Sequence, residues 1–204
     1  MNFLFDIGRV LLDFDFETSL SKLLPDGVDQ PRQRLERLLA RKDEFESGAI
    51  EADAYMDWAL NTLESEATHE QFIAAWRDIF TPNEPMWARV RQLHADGHRM
   101  VLFSNINALH VPWIFETWSE FDLFDGGVLS FEVGKIKPHP EIYQHAIEHH
   151  GMTPGETLYI DDLPENVEAG RAAGFTSWQY ELNNHAAFEQ WLDKALNPEN
   201  TVSP

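Results

Sequence analysis

Short apolar runs alternate with helical patterns over the last two-thirds of this chain, and this alternation limits the fold more than any other feature. Five runs are typical of buried strands, at residues 3–5, 100–103, 127–129, 157–160 and 175–178. Three intervening helical stretches end at Gly97, Gly151 and Gly174. Strands that alternate with helices build βαβ units around a parallel sheet. The pattern therefore predicts an α/β fold with a Rossmann-like parallel sheet core.

Residues 16–82 have a different pattern. Their apolar residues recur at helical spacing, as in Tyr55, Trp58 and Leu63, and no strand is expected among them. A helical block inserted after the first strand predicts a cap over the carboxyl edge of the sheet, where ligands bind in open α/β folds. We therefore expect an α/β core of residues 1–15 and 83–204, a helical cap of residues 16–82, and a frayed tail from residue 197 onward.

Composition narrows the classes of partner. The chain has no cysteine, which excludes disulfides, thiolate metal sites and a cysteine nucleophile, and favours the reducing cytoplasm. Its 15 Lys and Arg against 35 Asp and Glu give a net charge of −20, which repels nucleic acid and anionic membrane surfaces. No apolar run approaches the roughly 18 residues of a membrane span, and the first residues lack the basic region of a signal peptide. We expect a cytoplasmic protein that binds neither nucleic acid nor membrane.

Polar residues follow the first two long apolar runs. Asp6 comes directly after residues 3–5, and an aspartate can attack phosphorus to form an acyl phosphate. Ser104 and Asn105 follow residues 100–103 and offer a hydroxyl and an amide to a bound oxyanion. Each of these residues, taken alone, is equally typical of a turn.

Two further clusters occupy equivalent places later in the chain. Lys137 opens a predicted helix, where its ammonium would suit a phosphate, although a lone lysine is usually solvated. Asp161 and Asp162 follow residues 157–160, and their mutual repulsion indicates a bound cation, with Mg²⁺ favoured by hard oxygen ligands. A plain acidic turn is the alternative for this pair. Since all four clusters follow strands, they are predicted to meet at one edge of one sheet.

In these motifs the sequence resembles the haloacid dehalogenase superfamily, most of whose members are Mg²⁺-dependent phosphatases. The motifs occur in the family's order: Phe-Asp-x-Gly-x-Val-Leu from residue 5, Ser-Asn, Lys-Pro and Asp-Asp. Within the helical-cap subgroup, the chain is most similar to α-D-glucose-1-phosphate phosphatases, which share Asp13-x-Asp15 and Ile142-Tyr143. The resemblance covers nearly the whole chain.

The resemblance implies a role for each motif. Asp6 would be the nucleophile and a Mg²⁺ ligand, joined by the main-chain carbonyl of Gly8, by Asp162, and by Asp161 directly or through water. Ser104 and the backbone at Asn105 would hold the phosphoryl oxygens. Lys137 would neutralise Asp6 and the phosphate so that two anions can meet.

Gly8 departs from the family's commonest pattern. Most of its phosphatases carry an aspartate at this position as general acid and base, whereas Gly8 can supply a carbonyl but no proton. A missing general acid penalises basic leaving groups, so this departure favours sugar 1-phosphates over primary-alcohol esters.

Three hypotheses follow. The first is a Mg²⁺-dependent phosphatase of a small phosphorylated metabolite, working through an aspartyl-phosphate on Asp6. The second is a metal-independent 2-haloacid dehalogenase, which tolerates Gly8 but leaves the charges of Asp161 and Asp162 without a partner. The third is a catalytically silent binding protein with the same fold, which Gly8 keeps open although Asp6 and Lys137 oppose it.

Overall fold

Five parallel strands form the central sheet of the computed structural model, which describes residues 1–197. The strands are β1 Asn2–Phe5, β4 Arg99–Ser104, β5 Gly127–Leu129, β6 Thr157–Asp161 and β7 Thr176–Gln179. Their order across the sheet is β5-β4-β1-β6-β7. The predicted α/β class with a parallel sheet is confirmed. Residues 198–204, which make up nearly all of the predicted tail, lie outside the described range.

Both faces of the sheet are covered by helices, as is usual for parallel strands. In β1 the side chains of Phe3 and Phe5 pack into a cluster on one face, and Leu4 packs into a second cluster on the other. All three side chains are fully buried, which explains why β1 is a continuous apolar run. The helices outside the insertion are α6 Glu84–Ala95, α7 His110–Thr117, α8 Ser130–Val133, α9 Pro140–His150, α10 Pro164–Ala172 and α11 His185–Leu196.

The inserted block is helical and has a hydrophobic core of its own. Its helices are α1 Phe16–Leu20, α2 Pro31–Leu38, α3 Lys42–Glu46, α4 Ala52–Leu63 and α5 His69–Arg77. Tyr55, Phe72 and Trp76 lie at the centre of this core, and the ring of Phe45 stacks on Tyr55 at 4.2 Å between centroids. The predicted helical insertion is therefore present. No helix within the described range is long and apolar enough to cross a bilayer.

A short antiparallel ribbon connects the insertion to the sheet. Strands β2 Leu12–Phe14 and β3 Phe80–Pro82 pair with Leu12 opposite Pro82. The insertion thus follows β2, and the expectation that no strand occurs in residues 16–82 is wrong at its last three residues. Strands of three residues are too short to show alternation, and Pro82 argues against a strand by sequence alone. The exact boundaries of core and cap stay a prediction.

Candidate active site

The carboxyl ends of three neighbouring strands border one cavity of about 340 Å³. Asp6 follows β1, Ser104 ends β4 and Asp161 ends β6. Because β4 and β6 flank β1, the sheet order brings these ends together. The predicted residues that line the cavity are Asp6, Gly8, Ser104, Asn105, Lys137 and Asp162. The predicted convergence at one sheet edge is thus present.

Lys137 is buried between two carboxylates. Its side chain is 1% exposed, and Nζ lies 3.0 Å from Oδ1 of Asp6. Nζ also donates to Oδ2 of Asp161 and, at 2.8 Å, to the carbonyl oxygen of Phe103. Three acceptors satisfy the three protons of the ammonium. The solvated-surface interpretation of Lys137 is therefore wrong.

Asp161 lies behind Lys137 and is fully buried. Besides Lys137, it accepts hydrogen bonds from Tyr159 Oη at 2.6 Å, from the main-chain N–H of Leu163 at 2.9 Å, and from Nδ2 of Asn166 at 3.0 Å. Four donors on one carboxylate fix its orientation. Asp161 consequently holds Lys137 in place, and the acidic-turn interpretation does not describe it.

The Asn105 side chain binds the protein itself. Its Nδ2 donates to the carbonyl oxygen of Lys137 at 2.9 Å, and its Oδ1 accepts from the N–H of Lys137 at 2.8 Å. These two bonds fix the segment that carries Lys137 and leave only the main chain of Asn105 for a ligand. The Ser104 hydroxyl is within hydrogen-bond reach of the Asp6 carboxylate and lowers its pKa.

Burial and mutual repulsion govern the charges of this cavity. Burial raises the pKa of Asp6 to about 6; Lys137 lowers it and Asp161 raises it. Burial, Asp6 and Asp161 raise the pKa of Asp162 to about 7. Burial acts to lower the pKa of Lys137, but the charges of Asp161 and Asp6 raise it above its usual value overall. The site therefore concentrates more negative charge than its lysine compensates.

The carboxylates could hold a metal ion. Asp6, Asp161 and Asp162 each place an oxygen within 4.8 Å of the others. Among the described residues, Oδ1 of Asn166 is buried without a hydrogen-bond partner, and Asn166 lines the same cavity. An unpaired amide oxygen beside carboxylates is a hard donor set, which suits Mg²⁺.

Besides several apolar residues, four polar residues that line the cavity were not predicted: Lys42, Glu46, His110 and Asn166. Glu46 and Lys42 of α3 reach the cavity from the cap, and His110 reaches it from the start of α7. Both ring nitrogens of His110 have partners, with Nε2 2.9 Å from the carbonyl oxygen of Trp76 and Nδ1 3.1 Å from Nδ2 of Asn107. Lys42 and Glu46 carried a weak signal in their i,i+4 spacing, but the surrounding acidic run is typical of a solvated face.

A family model and two phosphatases are similar to this chain in sequence. A model described as haloacid dehalogenase-like hydrolase matches residues 3–174. D-ribitol-5-phosphate phosphatase from Bacteroides thetaiotaomicron is 29% identical over 206 residues, covering 96% of this chain and 98% of that protein. Sesquiterpene phosphatase astK from Aspergillus oryzae is 33% identical over 137 residues, or 65% of this chain and 68% of its own length.

Solved structures show the same fold. A HAD family enzyme from Bacteroides thetaiotaomicron, crystallised with magnesium and inorganic phosphate, superposes with a TM-score of 0.76 at 24% identity over 89% of this chain and 94% of its own. L-2-haloacid dehalogenase from Xanthobacter autotrophicus, with chloropropionic acid covalently bound, gives a TM-score of 0.64 at 17% identity over 86% and 75% of the two chains. At these identities the likeness concerns the fold.

Proposed function

This chain belongs to the haloacid dehalogenase-like hydrolases, and from that membership we propose that it is a Mg²⁺-dependent phosphatase of a small phosphorylated metabolite. One observation carries the proposal above the others. Lys137 is buried in contact with both Asp6 and Asp161 at the floor of the cavity, in a site that still has excess negative charge. A site with this charge is suited to bind a dianionic phosphate ester together with a divalent cation, because the cation offsets the negative charge of the ester and the carboxylates.

The residues of the chain would divide the reaction among them. The Asp6 carboxylate attacks phosphorus and forms an aspartyl-phosphate, while Lys137 offsets the charge where the two anions meet. The Ser104 hydroxyl and the main-chain N–H of Asn105 orient the phosphoryl oxygens. Positioning and charge neutralisation provide most of the acceleration in phosphoryl transfer, and these fixed groups suit that requirement.

Asp6, Asp162 and the main-chain carbonyl of Gly8 would hold the magnesium ion. Asp161 already accepts four hydrogen bonds, which favours a water-mediated role for it. When bound, Mg²⁺ supplies positive charge that lets the substrate phosphate approach the carboxylates. These ligands also argue against the hypothesis of a metal-independent dehalogenase, because a reaction without metal leaves the charge of Asp162 without a partner.

The substrate is proposed at two levels. The coarser proposal is a phosphomonoester of a sugar or polyol, in keeping with the substrate in the name of the Bacteroides relative. The finer proposal is that a sugar 1-phosphate is a good substrate, because its leaving group depends least on a proton donor and Gly8 offers none. We further propose a cytoplasmic location, which the cysteine-free sequence favours.

A panel of sugar, polyol and acyl phosphates, assayed with Mg²⁺ and after exhaustive chelation, tests the proposal. We expect phosphate release that disappears on chelation and returns when Mg²⁺ is added. Full turnover in chelator would refute the metal requirement. Halide release from a 2-haloacid in chelator, with no phosphatase activity, would establish the dehalogenase instead.

A further inference from the structure

A carboxyl group of the cap faces the cavity from the side opposite the sheet. Glu46 ends α3, is 8% exposed, and lines the same cavity as Asp6, Ser104 and Lys137. It is close enough to Asp6 for the charge of that residue to affect its titration. A buried carboxyl at a reactive cavity needs an explanation, because acidic side chains are rarely buried without a function or a strong partner.

Two contacts with the core hold the Glu46 segment over the site. The buried hydroxyl of Ser130, at the start of α8, donates to the carbonyl oxygen of Glu46 and accepts from the N–H of Ile106. That link joins Glu46 to the loop that follows Ser104. Gly48 follows, with a φ of 70° and so little space that a Cβ would lie 2.6 Å from the carbonyl oxygen of Phe131. The cap backbone at Glu46 is therefore docked on the core through Ser130, which also binds Ile106, two residues after Ser104.

The Glu46 carboxyl can take either protonation state near neutral pH. Burial raises its pKa to about 7; Lys42 lowers it, and Asp43 and Asp6 raise it. Nζ of Lys42 lies 3.1 Å from Oε2 of Glu46 and can stabilise the carboxylate once its proton has left. A group that transfers protons works best when its pKa is near the working pH.

The other groups around the cavity are less suited to giving a proton to the substrate. His110 uses both ring nitrogens in hydrogen bonds, and burial lowers its pKa to about 3, so it stays neutral. Asp162 belongs to the proposed metal site. Gly8 has no side chain, so among the described residues that line the cavity Glu46 is the best-placed carboxyl.

We propose that Glu46 is the general acid and base of this enzyme. It takes the role that an aspartate has in most related phosphatases at the position that Gly8 occupies here. The inference rests on the proposed phosphatase function. In the first step Asp6 bonds to phosphorus, the ester P–O bond breaks, and Glu46 gives its proton to the departing alkoxide. In the second step the Glu46 carboxylate takes a proton from a water molecule while the oxygen of that water attacks phosphorus. The bond between Asp6 and phosphorus breaks, which frees Asp6 and releases inorganic phosphate. Both steps balance, and Glu46 ends protonated as it began.

The leaving group provides the test. D-ribitol 5-phosphate has a strongly basic alkoxide leaving group, whereas p-nitrophenolate leaves without a proton. Because a general acid contributes about 10²–10⁴-fold, Glu46→Gln should lower kcat/KM for the ribitol ester by at least about 10²-fold. For p-nitrophenyl phosphate, kcat/KM should fall less than about 10-fold, since no proton is needed before that leaving group departs. The variant should also show a burst of nitrophenolate, because its second step lacks a base.

Glu44→Gln is the matched control, since it removes the same charge from the exposed face of the same helix. It should leave both kcat/KM values unchanged, and Glu46→Asp should recover part of the lost activity on the ribitol ester. Equal losses of Glu46→Gln on the two substrates, or no loss, would overturn the role of Glu46. Wild-type protein inactive on both esters would instead refute the proposed function. If Glu46→Gln does not fold, the two esters are compared in the wild type. Similar kcat/KM values for the two esters support a proton donor. A kcat/KM for the ribitol ester about 10²-fold or more below that for p-nitrophenyl phosphate refutes it.

Discussion

The sheet edge and the cap form opposite walls of one cavity, and they are built differently. At the sheet edge two charged groups are fixed by several partners: four donors hold Asp161, and three acceptors hold Lys137. On the cap side, Glu46 has one ionic partner and a backbone held by Ser130. A rigid edge suits the charge chemistry of phosphoryl transfer, whereas a lightly held wall suits the transfer of a proton.

Removing Asp6, the proposed nucleophile at the rigid edge, should have the largest effect. Asp6→Asn keeps the shape of the side chain but replaces the carboxylate with a very poor nucleophile, so kcat should fall on the order of 10⁴-fold or more, as for nucleophiles of other covalent hydrolases. Thermal melting should show an intact fold, because burial disfavours the charge that the substitution removes. Activity within about 10-fold of the wild type would move the nucleophile elsewhere.

Lys137→Ala comes next in expected size. The loss of one electrostatic stabiliser should lower kcat/KM by about 10²–10³-fold. Because Asp161 would keep a buried charge without its ionic partner, unfolding free energy should also fall, by about 3–5 kcal/mol. The control is Lys135→Ala, an exposed lysine two residues earlier, which should change neither quantity. Steady-state kinetics and denaturant melts check both quantities, and wild-type values for Lys137→Ala would contradict its roles in charge neutralisation and in the buried ion pair.

Asp6 and Lys137 show what the sequence can predict about the site and what it cannot. Asp6, Ser104 and Asp161 each follow a continuous apolar run, and parallel strands end at the same edge, so the sheet and its reactive edge follow from pattern and topology. The burial of Lys137 does not, because it depends on Asn105, which lies 32 positions earlier and fixes the main chain of Lys137. The pairing of β2 with β3 depends equally on contacts distant in sequence, and neither strand is long enough to show a period.

Glu46 marks the limit on the cap side. It lies in the run Asp43-Glu44-Phe45-Glu46, whose charges are typical of a solvated helix. The tertiary contacts of Ser130 and Gly48 dock this part of the cap backbone on the core, and the Glu46 side chain is buried there. Helical periodicity identifies the cap as a set of helices but does not show which of its polar residues face the site.

Weakening the dock between cap and core should have a moderate effect. Ser130→Ala leaves the carbonyl oxygen of Glu46 and the N–H of Ile106 without their shared partner, which should cost about 1–3 kcal/mol of stability. If the dock places Glu46, kcat/KM on the ribitol ester should fall more than on p-nitrophenyl phosphate. Ser47→Ala, which removes the hydroxyl of the half-buried residue next to Glu46, is the comparison. Identical losses of kcat/KM on the two esters would show that the contact between Ser130 and Glu46 does not affect proton transfer.

The smallest effect concerns His110, which joins the two regions and faces Trp76, Arg77 and Asn107. Its pKa is lowered from 6.5 to about 3 by burial, so the unfolded chain binds the proton first and stability is lost as the pH falls below about 6.5. Against His110→Gln, the wild type should lose about 2 kcal/mol of relative stability between about pH 7 and about pH 5. Denaturant melts of both proteins across this range measure it, and parallel curves would contradict a buried neutral His110.

The central claim is that Asp6 carries the phosphoryl group during turnover, and trapping the covalent intermediate tests it most directly. Wild-type protein turning over p-nitrophenyl phosphate with Mg²⁺ should be quenched in acid, digested and analysed by mass spectrometry, with Asp6→Asn as control. The account predicts a phosphoryl group on Asp6 that is absent from the control and more abundant in Glu46→Gln, whose second step is slowed. Full turnover with an unmodified Asp6 in both the wild type and Glu46→Gln would contradict the account.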